Sequence, residues 1–285
     1  MSRPHREFRA AAWLLGVAGA MAAGVPVRAA ESYASCDGFI DSLPAVVSSQ
    51  GVWCLRRDLS SGQSSGTLIT VSGNNITIDC NGFKLGGLAA GAGTATYGVH
   101  ANFRQNTTVR RCNVRGFLVG IALPGGAGQV VEDNRLDGNT GIGIWVESDQ
   151  GTIRRNLVVD TGGGTHWATE RRTAIYASGT TDVQDNTVTG VTPSAVQDAG
   201  ATGILLANGF AGGNRISGVV SSLSSEAFLA QGDAGSVLEG NHASGITATA
   251  VRCTATNVIL RGNTFVGVPN DRIGCIDGGG NVHRP

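Results

Sequence analysis

The sequence predicts an all-β fold, a single-stranded right-handed parallel β-helix of about nine coils with three short strands per coil. Three observations predict it. A small residue followed by an apolar one recurs at intervals of about 22 residues, stretched in places by insertions. An Asn recurs behind most of those pairs. The apolar runs are short, rich in Val and Ile and broken by Gly and Asn, and no 3.6-residue hydrophobic period appears beyond the N-terminal segment.

Taken in order, the chain opens with Arg3, Arg6 and Arg9, an apolar stretch from Ala10 to Gly24, and then Val27, Arg28 and Ala29. Basic, apolar and small residues in that succession predict a signal peptide over residues 1–29 and a secreted or periplasmic protein. A retained membrane anchor fits less well, because the stretch is short for a bilayer, so no membrane span is expected after removal. Residues 30–66 carry Ile40, Leu43, Val46, Val47, Val52 and Leu55 and are expected to cap the open N-terminal end of the sheets, since a bare edge invites aggregation.

The solenoid itself is expected over residues 67–285. Its anchor pairs are Leu68-Ile69, Gly98-Val99, Gly120-Ile121, Gly143-Ile144, Ala174-Ile175, Gly203-Ile204, Ala227-Phe228, Ala250-Val251 and, with Arg in the small slot, Arg272-Ile273. Behind them runs the Asn column: Asn81, Asn134, Asn156, Asn186, Asn214, Asn241 and Asn263, with Cys112 in the slot of the second coil. Three residues before this column sit apolar residues from Ile78 to Leu260, and two after it sit Phe83, Val114, Leu136, Val158, Val188, Ile216, Ala243 and Phe265. Asn tolerates left-handed backbone at a sharp bend, and stacked amides hydrogen-bond along the axis, which makes this column a structural ladder.

These columns resemble the parallel β-helix of the pectate-lyase-like superfamily and the generic repeats of the NosD type of periplasmic protein, over roughly residues 67–276. The resemblance implies a fold and leaves activity open. It also implies that a sugar groove runs along the outer side of the strands that carry the anchors.

With 41% hydrophobic residues and only 15% charged, the chain has material for a core, and no basic patch points to nucleic acid. Its six cysteines, Cys36, Cys54, Cys80, Cys112, Cys253 and Cys275, all follow residue 29, and an even number in an exported chain predicts disulfides. Cys253 and Cys275 fall at one column position in adjacent coils. Strand spacing of about 4.8 Å suits a bridge there. Cys36 and Cys54 would staple the cap, while Cys80 and Cys112 differ by one position and their pairing stays open.

Charges form two alternating series, Asp79, Arg110, Glu132, Arg154 and Arg111, Asp133, Arg155, Asp185. Opposite charges stacked on neighbouring strands read as a surface ladder that holds register. The informative face is the outward column Thr70, His100, Ala122, Trp145, Tyr176, Leu205, Leu229, Arg252 and Gly274, with Glu147 beside it. Trp145 and Tyr176 are neighbours there and offer flat rings on which a sugar could stack. The insertion at residues 161–172 brings His166, Trp167, Glu170, Arg171 and Arg172 over the same face, and long insertions on rigid scaffolds carry sites.

Two readings of these residues stand side by side. In one, His100, Trp145, Trp167, Tyr176 and Arg252 bind a polysaccharide and Glu147, His166, Glu170 and Arg171 are the catalytic candidates. In the other, the rings pack on one another as a satellite apolar cluster of a non-catalytic scaffold. Leu205 and Leu229 suggest a face covered by a loop or by a second copy, and the C-terminal end is a further place for self-association.

Tests against known chemistries narrow the choice. A β-eliminating lyase needs a base and a group to neutralise the uronic carboxylate, but the outward column has no Asp cluster for calcium and the only lysine, Lys84, lies elsewhere. A glycoside hydrolase needs two carboxylates, for which Glu147 and Glu170 are the one plausible pair. The double aspartate of polygalacturonases and the Asp-Pro-His-Asp signature of alginate epimerases are absent. His100, His166, His242 and His283 are scattered, so no metal and no other cofactor is expected.

Overall fold

The computed structural model describes residues 33–193 and 199–285, so the expected signal peptide lies outside the described residues. Within them the chain is a right-handed parallel β-helix. Every turn passes through three sheets, and each strand pairs in parallel with its counterpart in the turns before and after. The third sheet has ten strands, one per turn. The extra turn lies within residues 30–66: Ala45–Val47 pairs with the strand carrying Ile69, Gly51–Cys54 with Ile76–Asp79, and Leu59–Ser60 with Lys84–Gly86. The segment expected as a cap therefore continues the sheets themselves.

The anchors are explained by close approach between turns. A Cβ on Gly143 would lie 2.5 Å from the Ala174 carbonyl oxygen of the next turn and 2.7 Å from Val158 Cγ1 of the third sheet. At this corner both anchor residues face inward, and from Gly98 to Ala250 a Gly or Ala leaves room for the neighbouring turn's backbone. The apolar members then stack in register, Val99 on Ile121, Ile144, Ile175, Ile204, Phe228 and Val251, and all are buried. In the last turn the register differs from expectation by one residue. Arg272 lies opposite Val251 and pairs with Asp271 and Asp277, Ile273 takes the outward place opposite Arg252, and Gly274 leaves the column.

The ladder runs from Cys112 through Asn134, Asn156, Asn186, Asn214, Asn241 and Asn263 to Asn281. Asn134 donates from both its main-chain N and Nδ2 to Asn156 Oδ1 at 3.0 Å, and the bond repeats up the stack. Each Nδ2 also reaches a carbonyl of the preceding turn, as Asn134 does to Val109. The left-handed residue at this bend is the one before each ladder residue: Arg111 before Cys112, then Asp133, Arg155 and Asp185, at φ 53 to 56, and Gly213, Gly240 and Gly262. Asn81 is a correction. Asp79 and Lys84 are five residues apart where their partners Arg110 and Asn113 are three apart, so the longer bend puts Cys80 in the buried slot and Asn81 outside it. The same shift places Leu85, not Phe83, in the third-sheet core column.

Three disulfides join Cys36 to Cys54, Cys80 to Cys112 and Cys253 to Cys275. The alternating charges pair as expected of a ladder: Asp79 with Arg110 at 2.8 Å and with Arg111, Glu132 with Arg154 at 2.7 Å, and Asp133 with Arg155 at 2.8 Å. Burial pushes the Asp79 carboxyl up, but the bonds from Arg111, the Asn81 amide and Arg110 outweigh it and hold the group below the usual carboxylate range.

Candidate functional site

The outward column of the first sheet is in the expected register. Thr70, His100, Ala122, Trp145, Tyr176, Leu205, Leu229 and Arg252 are successive neighbours on adjacent strands. Trp145 and Tyr176 meet edge to face, with ring centroids 6.2 Å apart, and Trp145 Nε1 donates to Glu147 Oε1 at 3.0 Å.

The insertion at residues 161–172 lies across this face. Its Thr165 amide donates to Ala92 O at 2.9 Å, and Trp167 packs with Tyr97, Ile142 and Trp145 over the buried Leu118, Val119 and Ala122. A second apolar cluster therefore sits outside the sheet, and it takes in Trp145. Arg172 is buried beneath the insertion. Its Nη2 donates to the carbonyls of Gly164 and His166 at 3.2 and 3.1 Å, and burial lowers the affinity of its guanidinium for the proton.

Beside that cluster a cavity of about 350 Å³ remains, lined by Ile142, Trp167, Glu170, Arg171, Thr173, Tyr176 and Leu205. Four of the expected site residues converge here: Trp167, Glu170, Arg171 and Tyr176. Burial, with the Glu147 charge second, pushes the Tyr176 phenol up, so it stays a neutral donor. Glu147 lies elsewhere, in a shallower pocket of about 280 Å³ with Asp149, Ser178, Gly125 and Gly126. Glu147 and Glu170 thus line different cavities, and the carboxylate pair imagined for hydrolysis is not assembled across one of them.

His100 is half-buried against Tyr97, their rings 5.2 Å apart, and desolvation lowers its pKa. It lines no part of the cavity under the insertion. His166 contributes its carbonyl to Arg172 and keeps its ring 5.9 Å from that of Trp167.

Glu226 was not among the expected residues. Its carboxylate is fully buried and held from two sides, by Arg171 Nη1 at 2.5 Å and by Arg252 Nε at 2.9 Å. Arg171 also donates to Thr202 Oγ1 at 2.9 Å and Ser224 Oγ at 2.7 Å. Arg171, expected among the catalytic candidates, and Arg252, expected to bind substrate, are thereby tied to one carboxylate. A signal was present: the parallel outward column Tyr97, Val119, Ile142, Thr173, Thr202, Glu226 and Thr249 contains one charged residue. An isolated charge in an otherwise neutral column implies a partner from outside it.

Leu205 and Leu229 are buried within the single chain, so this pair presents no apolar face to a second copy. Among the described residues no three His, Cys, Asp or Glu side chains gather as a metal site, and no helix is long and apolar enough to cross a membrane.

Residues 56–211 match the family described as the right handed beta helix region. No curated protein matches the chain. Among solved structures, the enzymatically active domain of tailspike protein 2 from bacteriophage CBA120 aligns with a TM-score of 0.41 at 12% identity, over 84% of this chain and 38% of that one. The chain spans well under half the length of the tailspike structure it matches.

Proposed function

The chain belongs to the right handed beta helix region family, and on that footing we propose that it is an exported protein that binds a polysaccharide on the outer face of its first sheet. The binding site is the cavity between residues 161–172 and Tyr176. One observation carries the reading: Trp167 and Tyr176 share a cavity of about 350 Å³ with one carboxylate, Glu170, and one guanidinium, Arg171. An apolar ring face with a few fixed polar groups suits a sugar, whose C–H face stacks while its hydroxyls take hydrogen bonds. Export is supported by three disulfides, which persist in oxidising compartments.

The rival reading, a scaffold without a ligand, is favoured by the packing of Trp145 and Trp167 in one cluster. Variants separate the two. Affinity electrophoresis of the protein against a panel of neutral and uronate polymers is expected to find a retarding polymer. Tyr176→Ala is expected to weaken that binding about tenfold, near the 1.4 kcal/mol at the upper end of a ring contact. Trp145→Ala is expected to act on stability, lowering the melting temperature by several degrees. Binding unchanged in Tyr176→Ala, or no retardation by any polymer, would overturn the proposal. Ultraviolet absorbance from unsaturated chain ends in the same panel would assign a lyase activity, and its loss in Glu170→Gln would make Glu170 the base.

A further inference from the structure

On the outer side of the third sheet, with no lining residue in common with the cavity above, two clefts of about 340 Å³ each share Lys84 and Arg115. Pairing explains why they meet. Ser60 lies opposite Gly86, Gly86 opposite Arg115, and Lys84 precedes Gly86 by two residues on the same strand face. Gly86 has no side chain to fill the space, and a Cβ there would stand 2.8 Å from Ser60 Oγ. The hydroxyl, the ammonium and the guanidinium therefore border one opening.

The charges around this opening do not balance. Asp137, opposite Arg115 in the next turn, is taken by Arg135 at 3.3 Å. Lys84 Nζ stands 3.5 Å from Asp58, a loose pair with both side chains substantially exposed. Arg115 has no carboxylate within ion-pair distance among the described residues, and its Nε is enclosed without a hydrogen-bond partner. Arg110 and Arg154, by contrast, find carboxylates. An enclosed N–H without an acceptor is unfavourable, so an unpartnered guanidinium beside a cleft points to a ligand that supplies the acceptor.

We propose that Arg115, Lys84 and Ser60 form an oxyanion site for a sulfate or phosphate group, free or esterified on a saccharide. The guanidinium fork offers two parallel N–H donors, the ammonium a point charge and the serine a hydroxyl donor. Three donor groups around one opening match a tetrahedral anion, which has oxygens for all of them, better than a carboxylate with two.

Isothermal titration of the whole protein with inorganic sulfate and with inorganic phosphate, at ionic strength held constant with chloride, tests this. Saturable binding is expected, weakened at least tenfold by R115Q and severalfold by K84Q, and unchanged by R154Q, whose side chain pairs with Glu132 on another sheet. Should R115Q melt earlier in chloride, K84Q carries the same test, because its side chain is 40% exposed. A sulfated oligosaccharide that binds at least tenfold tighter than free sulfate, and loses that gain in R115Q, assigns the esterified source. Equal affinity assigns the free ion. No saturation beyond chloride, or equal binding in R115Q and K84Q, would sink the site.

Discussion

His100 illustrates how a single position in the outward column acquires a property its neighbours lack. The column places it beside Ala122, which is fully buried, and against the Tyr97 ring, so half its imidazole is removed from water. Burial disfavours the cationic form and lowers the folded-state pKa below the ordinary value near 6.5. The sign of the linkage follows. Above pH 6.5 neither state holds the proton and the group is neutral in stability; below it the unfolded chain binds a proton that the folded protein refuses until the lower pKa is reached. Stability is therefore expected to fall as pH drops from about 6.5 towards the folded value, and melting temperature followed across pH 5 to 7.5 reads it. His100→Gln should flatten that part of the profile, and parallel curves for the two proteins would show that burial of this ring is not the cause.

At the scale of the element, the insertion at residues 161–172 is held at both ends of its reach, by Thr165 on the Ala92 carbonyl and by Arg171 on Glu226. Glu226→Gln removes the charge that both arginines share while keeping the side chain's shape. Breaking a buried pair costs about 3–5 kcal/mol when both partners are buried. Here Arg171 and Arg252 are 30 and 36% exposed and regain water, so about 2 kcal/mol is expected. Thermal unfolding should report that loss, and trypsin should begin to cut after Arg171 in the variant alone; intact resistance would mean that Trp167 and Arg172 hold the insertion unaided. How much of this was legible follows from which signals are periodic. The anchor pairs through Ala250-Val251 and the outward column through Arg252 repeat with the turn, so spacing alone located them; the Cys253–Cys275 bridge forms although the last turn lies one residue out of the expected register. Asn81 and Phe83 were misplaced because two extra residues between Asp79 and Lys84 break the period without breaking the composition. Glu226 escaped because its partners come from an insertion and from the next turn, and the separation of Glu147 from Glu170 escaped because an insertion's path has no period at all.

Over the whole molecule, contacts run between adjacent turns, and a stack of this kind behaves as a one-dimensional array whose stability is a sum of turns and interfaces. A terminal turn has one neighbour instead of two and frays first. The covalent links match that weakness: Cys36 with Cys54 and Cys80 with Cys112 lie in the first described turns, and Cys253 with Cys275 joins the last two. Between them the turns from Asn134 to Asn241 carry no disulfide and are bound by the buried amide ladder instead. Each bridge closes a loop short enough to contribute roughly 3 kcal/mol in the chain-entropy account, a quantity felt by the end turns it joins. Reduction should therefore loosen the ends ahead of the middle. Amide hydrogen exchange with and without a phosphine reductant is the measurement, with faster exchange expected in residues 38–86 and 249–284 while residues 130–216 keep their protection. Exchange that rises equally along the whole stack would mean that the turns unfold as one unit and that the array description fails for this chain.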